Sequence, residues 1–181
     1  TYLESFFDAF DSNNDPTRLT SPEIFGNRTL SSDVSFDTSD DDMKSILNDI
    51  TSPFGEEYAP IFTKNYTLGF SDGGDEIYNM IKGWDGVESI DSGATVAFHA
   101  VYLQLVQNLF QDELYSFGSD SFDTFYSLKY IRSLAIRKIF DGEATLWVDN
   151  VLTDEQETLN DIVNKSFHDA HVFLSEKYGN P

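Results

Sequence analysis

The chain has 181 residues, 40% of them hydrophobic and 15% aromatic, which suffices for one domain with an aromatic core and argues against disorder throughout. Its 32 acidic and 11 basic residues leave a formal charge of -21, which repels phosphate backbones and anionic lipid and excludes nucleic acid as a partner. The lack of cysteine removes disulfides, thiol nucleophiles and thiolate metal sites, and no apolar run nears the roughly 18 residues of a membrane span.

The first stretch, Tyr2 to Phe10, spaces Leu3, Phe6, Phe7 and Phe10 for one face of a short helix, which Asp11-Ser12-Asn13-Asn14-Asp15-Pro16 stops. Residues 17–37 are polar and rich in Ser and Thr, so 1–37 reads as a mostly irregular lead-in with one short helix. From there the pattern turns helical, and 38–181 reads as one helical domain. Thr38 or Ser39 caps a helix whose buried stripe is Met43, Ile46, Leu47 and Ile50. Pro53 opens a following turn or kinks that helix, and Phe54, Tyr58 and Ile61 carry the pattern to about Phe62.

Ser71-Asp72-Gly73-Gly74 breaks the chain, and a helix from Asp75 carries Ile77, Met80, Ile81 and Trp84. Gly83-Trp84-Asp85-Gly86 ends it in a tight turn in which Trp84 anchors the core and Asp85 organises backbone donors. Asp91-Ser92 caps the strongest helix, with an apolar stripe from Ala94 through Ala97, Phe98, Val101, Tyr102, Leu105, Val106 and Leu109 to Phe110. A single helical run is expected over 121–140, with Phe122, Phe125, Leu128, Ile131, Ala135 and Ile139 inward and Arg132, Arg137 and Lys138 in its later turns, closed by Asp141-Gly142. The last helix is expected to start at Thr153 with Gln156 completing a capping box, and to run to Tyr178 before Gly179-Asn180-Pro181. An apolar helix followed only by a breaker looks like a boundary cut from a longer chain.

Candidate chemistry is sparse. His99 lies inside the strongest helix, where a hydrogen-bonded core or boundary histidine is expected. His168 and His171, with Asp169 between them, share a helical face, but two imidazoles fall short of a metal site. Asp11, Asn13 and Asp15 alternate like the first oxygen ligands of a calcium loop; Pro16 stands where glycine is required, and the closing carboxylate, Glu23, comes one residue late. A capping turn is the competing reading there. Thr1 could act as an N-terminal nucleophile, but the helical text after it does not provide the strand that would seat one. Asn27-Arg28-Thr29, Asn65-Tyr66-Thr67 and Asn164-Lys165-Ser166 match the glycosylation acceptor pattern. There is no phosphate-binding glycine loop and no Gly-x-Ser-x-Gly elbow. No catalytic, cofactor-binding or metal-binding residue is therefore assigned.

Four segments, in order, carry a resemblance: Asp42-Met43-Lys44-Ser45-Ile46-Leu47-Asn48-Asp49-Ile50-Thr51-Ser52, then Gly83-Trp84-Asp85-Gly86, then Asp91-Ser92 with the aromatic helix ending Asp112-Glu113-Leu114, and the closing Leu174-Ser175-Glu176-Lys177-Tyr178-Gly179-Asn180-Pro181. Together they resemble a helical segment of the large chain of the penicillin acylase family of N-terminal nucleophile hydrolases. The resemblance implies a mainly α, irregular multi-helix domain excised from a larger αββα enzyme. In such an enzyme a precursor cuts itself into two chains, and the new N-terminal serine, with its own amine as base, hydrolyses N-acyl amides. It further implies partners in the small chain and catalytic core, a substrate among β-lactams, acyl-homoserine lactones or lipopeptides, a periplasmic or extracellular location, and no cofactor beyond a possible structural calcium in the parent enzyme. Asn14 matches the family's oxyanion-stabilising asparagine, although Tyr2 to Phe10 departs from the extended approach expected there and Asn27-Arg28 only loosely matches the stretch that should follow. The competing reading is a helical calcium-binding or protein-interaction module without activity.

Overall fold

The computed structural model describes residues 48–152, 154 and 156–179, together with Asp41 and Lys44. Asp41 and Lys44 form an i,i+3 ion pair at 3.1 Å, and the Asn48 amide donates to the Lys44 carbonyl; they belong to a unit of residues 1–48, separate from the unit formed by 49–181. The lead-in and most of the first expected helix lie outside the described residues. Ile50, expected on that helix's buried stripe, is 51% exposed; its carbonyl accepts the Glu88 amide beside the antiparallel bridge of Thr51 and Val87. That bridge is the only β pairing among the described residues, and the regular elements of the unit are all helices.

Helix α1 (Pro53–Asn65) starts where Ser52 accepts the Gly55 amide at 3.2 Å and Pro53 takes the first position, whose amide would have no helical acceptor. The proline thus opens a separate helix. Helix α2 (Asp72–Ile81) starts three residues earlier than expected, because Ser71 caps the Gly74 amide at 3.0 Å. Gly73 and Gly74, read as a break, occupy its first turn: a Cβ on Gly73 would land on the His171 ring, and one on Gly74 on the Tyr66 hydroxyl. The glycines therefore permit close packing. Met80, expected inward, is 37% exposed and lies against Gly93. Past the helix end, Trp84 packs tilted against Phe98 at 5.0 Å and fills the space beside Gly55, its indole donating to the Val87 carbonyl, while Asp85 accepts the Val87 amide.

Helix α3 (Gly93–Ser116), capped by Ser92, is the hub and packs against α2, the following helix and the last one. Its stripe is buried from Ala97 to Leu114, with Phe98 and Phe110 sealed completely. Phe62 and Phe167 complete the aromatic centre, Phe62 stacking on Phe98 at 5.7 Å and Phe167 packing tilted against Tyr66 at 4.5 Å.

The single run expected over 121–140 is two helices, α4 (Ser119–Ser127) and α5 (Lys129–Phe140), hinged at Leu128 with φ -89° and ψ 76°. The break lets Phe122 reach the core from α4 and Ala135, Ile136 and Ile139 from α5, while Leu128 is left 44% exposed. It also puts Arg132 in the early part of α5 and buries it, so only Arg137 and Lys138 meet the negative end of the helix dipole.

A 3-10 turn (Thr145–Trp147) precedes the last helix, α6 (Leu159–Tyr178). It begins at Thr158, not Thr153, with a capping box to Asp161. The preceding amides are already satisfied by side chains: Asn150 by Glu157, Val151 by Asp112 and Glu157 by Asp149. The helix ends at Tyr178 as expected, with Gly179 at φ 84°. No helix among the described residues is long and apolar enough to cross a membrane.

Candidate functional site

Between α3, α6 and the 150–157 segment lies a cleft of about 470 Å³. Its α3 wall presents Gln107, Asn108, Gln111 and Asp112 at spacings that share one helical face, and Lys165 faces them from α6. Lys165 donates to Asn108 Oδ1 and pairs with Asp169 Oδ2, each at 2.6 Å. Asn108 in turn donates to Asp169 at 3.0 Å and to the wholly buried Ser166 hydroxyl at 3.1 Å. The lysine is thus held in a charge-assisted network, and the cleft offers amide and carboxylate contacts without an activated nucleophile.

Asp112 Oδ2 accepts the Val151 amide at 2.9 Å. Beside it, both oxygens of Glu113 are sealed from solvent with no donor. Burial, then the neighbouring Asp112 carboxylate and more weakly Asp149, push the Glu113 carboxyl up to about 9. At neutral pH it is a carboxylic acid whose proton can be given to Asp112.

The histidines are placed apart. His99 Nε2 lies 3.0 Å from Glu88 Oε1 in a half-exposed pair, the boundary role expected of it. His168 is exposed on α6, while Asp169 turns to Lys165. His171 Nε2 is 3.3 Å from Glu76 Oε2 and 3.4 Å from the Ser175 hydroxyl. Serine, histidine and glutamate in contact evoke a hydrolytic triad, but acid and serine meet the same ring nitrogen, whereas a triad needs them on opposite nitrogens. Among the described residues no group of three His, Cys, Asp or Glu side chains could hold a metal ion. Thr1, Asp11, Asn13, Asn14, Asp15, Glu23 and Arg28 lie outside the described residues.

Two of the glycosylation acceptor patterns meet each other. Asn164, 5% exposed, accepts the Thr67 amide at 2.7 Å and reaches the Thr67 hydroxyl at 3.4 Å, and Asn65 donates to the Ile61 carbonyl at 2.8 Å.

Sequence reasoning missed Glu113, Arg132 and the Asn108–Lys165 network. The first two were marked by position: Glu113 continues the stripe of Val106, Leu109 and Phe110, and Arg132 that of Ala135, Ile136 and Ile139, so each is a charge on a buried face.

Fold and cleft define a mainly helical protein whose described residues supply packed walls and polar contacts but no nucleophile with its base. The model of the penicillin amidase family matches residues 23–181, and the chain belongs to that family of N-terminal nucleophile hydrolases. No curated protein and no solved structure matches it significantly.

Proposed function

We propose that this chain is the helical part of the large chain of a penicillin-acylase-like amidohydrolase, an enzyme that hydrolyses the linear amide bond of N-acyl compounds such as β-lactams or acyl-homoserine lactones. The family match over residues 23–181 carries this reading. The helices act as walls and support: rigid packing around a cleft holds a catalytic geometry to fractions of an ångström. The serine nucleophile, its amine base and the core sheets belong to the remainder of the parent enzyme, which matures by self-cleavage and works in the periplasm or outside the cell. The segment by itself is inactive.

The test is turnover. The full parent enzyme is expected to release free amine from phenylacetyl or fatty-acyl amides, and the 181-residue chain to release none. Turnover by the purified chain that survives removal of contaminating enzyme, or a parent inert on every N-acyl amide tried, overturns the proposal.

A further inference from the structure

In a chain with 32 acids against 11 cations, α5 stands apart: it holds Lys129, Arg132, Arg137 and Lys138 and no carboxylate. Arg137 and Lys138 are paired with Glu57 and Glu143. Lys129, on the surface, forms no ion pair among the described residues. Arg132 is only 5% exposed, its guanidinium stacked 4.7 Å from the Tyr126 ring centroid and 5.7 Å from that of Tyr102, and its Nε is buried without an acceptor. Aromatic faces compensate a buried cation only in part; a counter-charge is what such a group calls for.

The position compounds the effect. Leu128 gives α5 no side-chain cap, so the first-turn amides have no acceptor, and Lys129 adds positive charge at the end of the dipole that favours an anion. Helical side chains lean toward the N-terminus, and stacking on Tyr126, in the last turns of α4, brings the Arg132 guanidinium back to this same end. Around it Leu128 and Tyr130 are 44% and 68% exposed. A desolvated arginine with tyrosines and an apolar rim is the composition of a binding hot spot.

We propose that the N-terminal end of α5 docks an acidic surface of the rest of the parent acylase, with an aspartate or glutamate carboxylate entering beside Arg132, Lys129 and the free first-turn amides, and with Leu128 and Tyr130 covered around it. The proposal rests on the chain being part of a larger acylase. A second copy is the alternative occupant, and the cross-link below distinguishes the two.

The experiment uses the full parent enzyme. Acetylation of lysines, read by mass spectrometry, is compared between native and denatured enzyme, and a carbodiimide joins amines to touching carboxylates. Lys129 is exposed on this chain, so several-fold slower acetylation in the native parent, with a cross-link from Lys129 to an Asp or Glu outside these 181 residues, is expected. Lys129→Glu is expected to lower the melting temperature of the parent by more than Lys64→Glu, the same charge change at another exposed lysine, in the last turn of α1. Unprotected Lys129, a cross-link confined to residues 1–181, or one to a second copy overturns the docking site. Amide turnover by the same preparation reports separately on the enzyme assignment: an active parent with reactive Lys129 retires this inference alone.

Discussion

The Asn164 side chain accepts the backbone amide of Thr67 at 2.7 Å, tying the start of α6 to the loop after α1 across 97 residues of sequence. The bond satisfies an amide that has left helix α1, and it uses an asparagine that is itself buried. Asn164→Leu removes the acceptor and strands the Thr67 amide, so a loss of about 1–3 kcal/mol in urea unfolding is expected. The same geometry predicts that the Asn164 peptide stays unglycosylated in a glycosylating host; a glycan found there on folded protein contradicts it.

Glu113 gives a pH signature. Its folded value of about 9 lies above the ordinary 4.5 of a glutamate, so the native state holds a proton that the unfolded chain releases, and stability falls as pH rises from the unfolded value through the folded one. Glu113→Gln keeps a donor for Asp112 and removes the ionisation. The variant is expected to match the parent sequence near pH 4 and to exceed it at pH 7 by an amount on the order of 3 kcal/mol. Unfolding curves from pH 4 to 9 that keep the same slope in both proteins contradict the assignment.

Gly73 should behave against its propensity. In an ordinary helix Gly→Ala gains about 0.5–1 kcal/mol. Here the new methyl meets the His171 ring, which must turn away from Glu76. Gly73→Ala is therefore expected to lower the melting temperature, and the Met80→Ala variant, at a half-exposed position on the same helix, to lower it less.

Phe98 sits where Phe54, Phe62 and Trp84 converge, fully buried. Phe98→Ala is expected to cost about 3–5 kcal/mol, the range for removing a large ring from a close-packed core. Thermal unfolding that shifts by only a degree or two would mean that the aromatic centre is loosely packed.

Periodicity in the sequence located the apolar faces well wherever one helix buries one stripe, as in α3, and it located the stop at Gly179 through the glycine that follows the last turn. It failed where a tertiary contact decided the local structure. Gly73 and Gly74 read as a break because their role is to admit His171 and Tyr66, residues distant or invisible in the local pattern. Leu128 carried no glycine or proline to mark the hinge. Thr158 starts the helix in place of Thr153 because its reciprocal capping box with Asp161 closes there, just after the Asp149 carboxylate has taken the Glu157 amide. The polar network of Lys165, Asn108 and Asp169 joins two helices 57 residues apart, and no spacing rule reveals such a pair.

The most direct test of the central claim is the intact mass of the purified parent protein. An acylase that matures by self-cleavage gives two chains, and these 181 residues are expected to lie inside the larger one, which begins with serine. A single uncleaved chain that is nevertheless the functional form, or a larger chain that begins with another residue, would contradict it.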